Sequence, residues 1–170
     1  MKNYVTEFIG TFFLVLTIGL TVIGGTPMAP LAIGASLMIM VYMGGHISGA
    51  HYNPAVSLAL TLRGKLKASQ LVPYVVFQLL GALAAAWAVL AITGRTFGMR
   101  GRKIRVVRVD GSPVGWYGAF TRFVVPIIVA LAIPTLGPLF GLGMVLWGYR
   151  DANGQGIHDK LARTLVVADG

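Results

Sequence analysis

Apolar residues along this chain gather into long blocks separated by short basic or glycine-rich breaks. The first block, Val5 to Gly24, has the length of about twenty residues that a helix needs to cross a bilayer, with a single acid, Glu7, near its start. A second runs from Pro30 to Met43 and continues through Gly44-Gly45 into a weakly polar run. The third is short: after Asn53-Pro54 the chain stays apolar to Leu62 and closes on Arg63-Gly64-Lys65-Leu66-Lys67. At ~1.5 Å per residue such a block cannot cross ~30 Å of hydrocarbon, so it predicts a re-entrant segment or an ordinary cytoplasmic helix. Leu71 to Ile92 spans easily, and its Gly81-Ala82-Leu83-Ala84-Ala85-Ala86 stretch offers a small-residue face for close helix packing. Gln78, a lone polar group in that block, predicts an interhelical hydrogen bond.

The pattern changes at Thr93. Residues 95–108 hold six basic side chains, and Ile104-Arg105-Val106-Val107-Arg108-Val109 is β-prone up to the turn signal Asp110-Gly111. A further apolar stretch, Phe123 to Trp147, contains Pro126, Pro134 and Pro138, which predicts one kinked span or a shallow hairpin. The tail from Tyr149 onward is polar and is expected outside the hydrocarbon.

Composition agrees with a membrane protein: 56% of the 170 residues are hydrophobic and 11% charged, too few charges for the surface of a soluble domain. With no cysteine, disulfides and thiolate metal sites are excluded. Met1-Lys2-Asn3-Tyr4 leads straight into the first block, so no cleavable leader is expected. Fourteen basic residues against five acidic raise the question of nucleic acid. They cluster beside the apolar blocks, where they hold a membrane face against anionic lipid, so no nucleic-acid partner is expected.

The run His46-Ile47-Ser48-Gly49-Ala50-His51-Tyr52-Asn53-Pro54-Ala55-Val56 carries the candidate chemistry. Asn53 reads as a helix N-cap and Pro54 as the first helical residue, a helix start at membrane depth. Exposed backbone over His46–Tyr52 survives there only by lining a wet cavity. A positive helix end pointing into that cavity repels protons and cations, so the physical reading is a pore for a neutral solute.

Residues 4–88 closely resemble the N-terminal half of the aquaporin (major intrinsic protein) family. The likeness rests on Glu7-Phe8-Ile9-Gly10-Thr11-Phe12, on Gly45 through Val56 with its Asn53-Pro54-Ala55, and on Gln78 with Gly81-Ala82. It implies that the Asn53 amide donates to a passing solute and that carbonyls of the preceding loop, from Gly49, Ala50, His51 and Tyr52, form an acceptor ladder. Glu7 would hydrogen-bond the loop backbone, and His46 would brace the loop, with the alternative of a titrating gate. Ile33 falls where the family places a narrow-filter side chain and leaves selectivity open. Residues 93–167 resemble the RDD family of membrane domains through Thr93-Gly94-Arg95-Thr96-Phe97-Gly98, Val106-Val107-Arg108-Val109-Asp110-Gly111 and Ile157-His158-Asp159-Lys160-Leu161-Ala162. That family's first span has no counterpart here, and His158 and Asp159 are expected as tail residues at the membrane surface.

These likenesses imply an all-α membrane protein: a half-aquaporin bundle of three spans plus one re-entrant half-helix over residues 1–92, then an RDD-like domain over 93–170. An aquaporin pore needs two such halves, yet no second Asn-Pro-Ala follows Ala55; the family's filter arginine follows that second motif, and the matching place after the first holds Val56. Lys2, Arg63, Lys65 and Lys67 beside one face oppose the six basic residues of 95–108, leaving little orientational bias. An antiparallel homodimer would rebuild the two-motif centre. The leading expectation is therefore a channel for water or small uncharged solutes, completed by self-assembly in a bacterial-type plasma membrane. The alternative is a non-conducting structural or regulatory subunit, or a truncated fusion product, that pairs with a complete channel. No enzyme, cofactor or metal site is expected, since no nucleophile, base and acid are spaced for a reaction.

Overall fold

The structure, a computed structural model, describes residues 1–132, 143 and 146–169. The chain forms two compact units, Met1–Ala86 and Trp87–Gly170. The first contains α1 (Lys2–Gly24), α2 (Ala29–Ser48), α3 (Pro54–Leu62) and most of α4 (Ala68–Thr93). Helices α1, α2 and α4 are each long and apolar enough to cross a membrane. Helix α3 has nine residues, ~14 Å of rise, and is too short to do so.

Local chemistry sets the helix ends. Helix α1 stops at Gly25, whose φ of 70° suits a residue without Cβ, and its N–H returns to the Val22 carbonyl. Helix α2 carries Pro30 in its first turn and stops at Gly49, φ 87°. In α3, Asn53 is the extended N-cap and its Oδ1 accepts from the Ala55 N–H at 2.8 Å, with Pro54 following as the first helical residue.

Small residues let these helices approach. Gly81 on α4 lies so close to the Phe8 carbonyl of α1 that any Cβ there would collide with backbone. Gly10 on α1 and Gly44 on α2 both face the buried Tyr52, which leaves no room for a side chain at either position. Thr17 Oγ1 donates to Ser36 Oγ across α1 and α2 at 3.2 Å. Tyr4 stacks on Phe77 and meets Tyr74 edge-on, with ring centroids 5.6 and 5.7 Å apart.

The second unit holds the end of α4, then α5 (Phe97–Gly101), β1 (Ile104–Arg108), α6 (Gly115–Ala132), α7 (Ile157–Ala162) and β2 (Thr164–Ala168). Strands β1 and β2 pair antiparallel, with Ile104 opposite Ala168 and Arg108 opposite Thr164. Leu90, Ala91, Val106, Val114 and Ala119 form its apolar core, with Trp87 and Met99 against it. Gly94 closes α4 at φ 66° so tightly that its carbonyl accepts from the Val106 N–H at 2.7 Å.

The β-prone run thus becomes a strand, and its partner comes from the tail, where Thr164-Leu165-Val166-Val167 is itself rich in β-branched residues. The helix expected from Phe123 begins at Gly115 and contains Pro126; Pro134 and Pro138 lie outside the described residues. The expectation that His158 and Asp159 are surface tail residues is corrected. Asp159 is buried, ion-paired with Arg122, and accepts the Gly156 N–H at 3.0 Å. Burial, with the Arg122 charge added, holds the His158 imidazole below its ordinary range although Asp159 Oδ2 lies 3.4 Å from its Nε2. Apart from this small sheet and the connecting loops the described residues are helical, an all-α membrane architecture.

The crossing at Gly81 is testable. Gly81→Ala should destabilise the first unit by about 2 kcal/mol through overpacking. Gly24→Ala, whose Cβ would meet nothing within 4 Å, should stay within about 1 kcal/mol of the parent. Detergent-denaturation titrations followed by circular dichroism compare the two.

Candidate functional site

Helix α2 continues through His46 and Ser48, so the open backbone expected over His46–Tyr52 is confined to Gly49–Tyr52. Every N–H of that loop is bonded inward. Gly49 N donates to the Gly45 carbonyl and Ala50 N to Ser48 Oγ, both at 3.1 Å. His51 N donates to Glu7 Oε1 at 3.0 Å and Tyr52 N to Glu7 Oε2 at 2.7 Å. Among the described residues, nothing donates to the carbonyls of Gly49, Ala50, His51 and Tyr52. The loop therefore presents acceptors with free lone pairs.

This inward turn requires left-handed backbone at Gly49, Ala50 and Tyr52, with φ of 87°, 53° and 49°. For the two non-glycine residues such conformations cost roughly 1 kcal/mol each and persist only where surrounding bonds impose them. Glu7 imposes them. Its carboxylate is fully buried and also accepts from Ser48 Oγ at 2.6 Å and Gln78 Nε2 at 2.8 Å. A buried carboxylate is tolerable only when its lone pairs are met, and four donors meet these.

Two further bonds fix the end of α2 to α4 and the loop to α2. Tyr74 Oη donates to the Ser48 carbonyl at 2.8 Å, and Tyr52 Oη to the Met40 carbonyl at 2.7 Å. Gln78 Nε2 also reaches Ser57 Oγ at 2.9 Å, and Ser57 Oγ lies 3.0 Å from His51 Nδ1. With Gln78 donating to that hydroxyl, the serine's own proton is directed at Nδ1, which assigns the ring proton of His51 to Nε2.

Asn53 is exposed and its Oδ1 is engaged by the helix cap, so the side-chain NH2 points away from the cap as a free donor. Pro54 is half-buried and Ala55 exposed. A donor amide thus adjoins a run of carbonyls without a described donor at the positive end of a short helix, an arrangement suited to a neutral hydrogen-bonding molecule and unfavourable to cations. Ile33 sits half-buried fifteen residues before Ser48 on α2, about 22 Å along its axis from the loop. His46 is exposed and bonds to nothing in the loop among the described residues, whereas His51 is buried against Ser57 and Tyr74. Gln78 makes the interhelical bonds its position predicts. Ser48, Ser57 and Tyr74 carry no sequence signal of their own, except that Tyr74 is the lone hydroxyl of the Leu71–Ile92 block. Among the described residues no group of three or more His, Asp or Glu side chains is placed to hold a metal.

The profile of the major intrinsic protein family matches residues 1–137. Aquaporin Z of Bradyrhizobium diazoefficiens is 43% identical over 95 residues, covering 51% of this chain and 40% of that protein. Aquaporin Z of Brucella melitensis is 44% identical over 93 residues, covering 47% and 39%. Glycerol uptake facilitator protein-like 6 of Lactiplantibacillus plantarum is 37% identical over 92 residues, covering 52% and 43%. The chain thus spans about two-fifths of the length of these curated relatives.

Replacing Glu7 tests the constraint on the loop. Glu7→Gln keeps the shape but turns an acceptor into a donor facing N–H groups, and should cost about 3 kcal/mol in a detergent-denaturation titration. A change within about 0.5 kcal/mol would mean that the loop is held by other contacts.

Proposed function

This chain belongs to the major intrinsic protein family and is an integral membrane protein of the plasma membrane, and on that footing we propose that it forms a channel for water or a small uncharged solute. The observation carrying this reading is the free Asn53 amide beside four carbonyls that no described residue satisfies. Such groups face water or a polar partner at membrane depth and never lipid. A molecule passing them trades hydration for one donor and successive acceptors, while the positive end of α3 opposes cations.

A second polar surface must complete the path, and a second copy of this chain in the opposite orientation supplies it. Two Asn53-Pro54 helix ends would then meet at the midplane. Lys2, Arg63, Lys65 and Lys67 against the six basic residues of 95–108 give the weak topological bias such dual insertion needs. The family's filter arginine follows a second Asn-Pro-Ala, which residues 1–170 do not contain, and this favours a second reading: a non-conducting subunit that pairs with a complete channel. For the second unit the RDD-like domain remains the reading of its motifs, and Val109-Asp110 and Leu161-Ala162 from two of those motifs border the same cleft.

Proteoliposomes holding the purified chain should shrink in stopped-flow osmotic shock severalfold faster than empty vesicles, and Asn53→Asp should abolish the gain. Shrinkage no faster than empty vesicles removes the channel reading in favour of the subunit. Because the chain has no cysteine, single cysteines introduced at Lys2 and Arg63 report orientation cleanly. Labelling from both sides of the membrane is the expected result; one orientation throughout would exclude the antiparallel pair.

A further inference from the structure

The acidic side chains of the second unit are all engaged internally. Asp151 pairs with Lys160, Asp159 with Arg122, and Asp169 with Arg95 and Arg105. Asp110 Oδ1 accepts from both the N–H and the hydroxyl of Ser112, at 2.9 and 2.5 Å. Among the described residues Arg100, Arg102, Lys103, Arg108, Arg150 and Arg163 have no carboxylate partner. This unit therefore carries a surplus of exposed positive charge.

Two of these cations meet. Arg108 and Arg163 line one open cleft of about 890 Å³ with Val109, Asp110, Tyr117 and Leu161. Backbone geometry places them: Val109 N donates to the Arg163 carbonyl at 3.1 Å, and Arg108 ends β1 opposite Thr164. Arg108 Nε donates to the Val114 carbonyl at 3.3 Å, which steadies its guanidinium beside the start of α6. Arg163 is fixed as the left-handed C-cap of α7, φ 52°. Neither arginine needs a side-chain partner to reach the cleft.

The rest of the cleft is of mixed character. Asp110 Oδ2 accepts from no described residue, and the Ser112 hydrogen bonds hold the Asp110 carboxyl below its usual range, so it is ionised at neutral pH. Val109 and Leu161 are exposed apolar walls, and Tyr117 stands exposed beside them at the first turn of α6. Amphipathic rings of this kind settle at the level of lipid headgroups.

We infer that this cleft seats the headgroup of an anionic phospholipid, with Arg108 and Arg163 holding its phosphodiester and Asp110 accepting from a headgroup hydroxyl. Two cations and one anion leave a single positive charge, which matches the single negative charge of phosphatidylglycerol. Its glycerol hydroxyls donate to Asp110, and its acyl chains run along Val109, Leu161 and the Tyr117 ring. Phosphatidylcholine has no net charge and no headgroup donor. Inorganic phosphate has the charge but nothing for the apolar walls.

Native mass spectrometry of the purified full chain, with phosphatidylglycerol or phosphatidylcholine added in detergent, tests this. The chain should retain phosphatidylglycerol in preference to phosphatidylcholine. Arg108→Gln with Arg163→Gln should weaken retention roughly thirtyfold. Arg150→Gln, an exposed cation outside the cleft, should leave it unchanged. Should the double variant fail to fold, Arg163→Gln alone serves, since that side chain makes no bond within the described fold, and its loss should be about fivefold. Equal losses from Arg150→Gln and the cleft variants would reduce the effect to general charge and overturn the site. Retention unaffected by the cleft variants would overturn it directly, as would displacement of the lipid by inorganic phosphate.

Discussion

The buried carboxylate of Glu7 is the constraint on which the first unit turns. A charge with no exposure inside an apolar bundle is destabilising unless each lone pair meets a donor, and here α2, the loop and α4 each contribute. Because two of those donors are backbone N–H groups, the peptide planes at His51 and Tyr52 are turned inward. A peptide whose N–H points into the bundle directs its carbonyl the other way. The acceptor row and the internal carboxylate are therefore one feature seen from its two sides.

Close packing makes that arrangement reachable. Tyr52 can occupy the space between α1 and α2 only because Gly10 and Gly44 lack side chains, and Gly81 admits the α1 backbone against α4. With the helices this near, Gln78 spans from Glu7 to Ser57 and so links the carboxylate to α3. The position of Asn53 follows from that chain of contacts: Ser57 and His51 fix the first turn of α3, and the cap bond to Ala55 fixes the amide. Rigid support of this kind lets a short helix present a donor at a defined place without spanning the membrane.

The second unit handles charge in the opposite way. It buries an ion pair, Arg122 with Asp159, under a two-stranded sheet and meets the remaining atoms with Thr164 and Gly156. Breaking such a pair leaves an uncompensated charge, so both partners are needed together. With the carboxylates engaged in this way, the remaining arginines are left on the surface beside interfacial aromatics. A membrane protein with few acids thus acquires a basic face as a consequence of its own internal pairing.

Block length and capping chemistry are local properties, and the sequence alone determined what depends on them. The spans α1, α2 and α4, the start of α3 at Asn53-Pro54, and the extended run at Ile104 were all legible, because each rests on residues adjacent in the chain. Other features depend on which distant groups come within bonding reach. His46 and His51 sit five residues apart in one motif, yet one is exposed and the other buried. The partner strand of β1 lies in the tail, and His158-Asp159 looks like surface until Arg122 arrives from α6. Ser48, Ser57 and Tyr74 gain their roles only from the bundle that encloses them. Tertiary structure decided these because a buried polar group takes whichever donor packing brings to it, and packing is set by the whole set of helices rather than by neighbours in sequence.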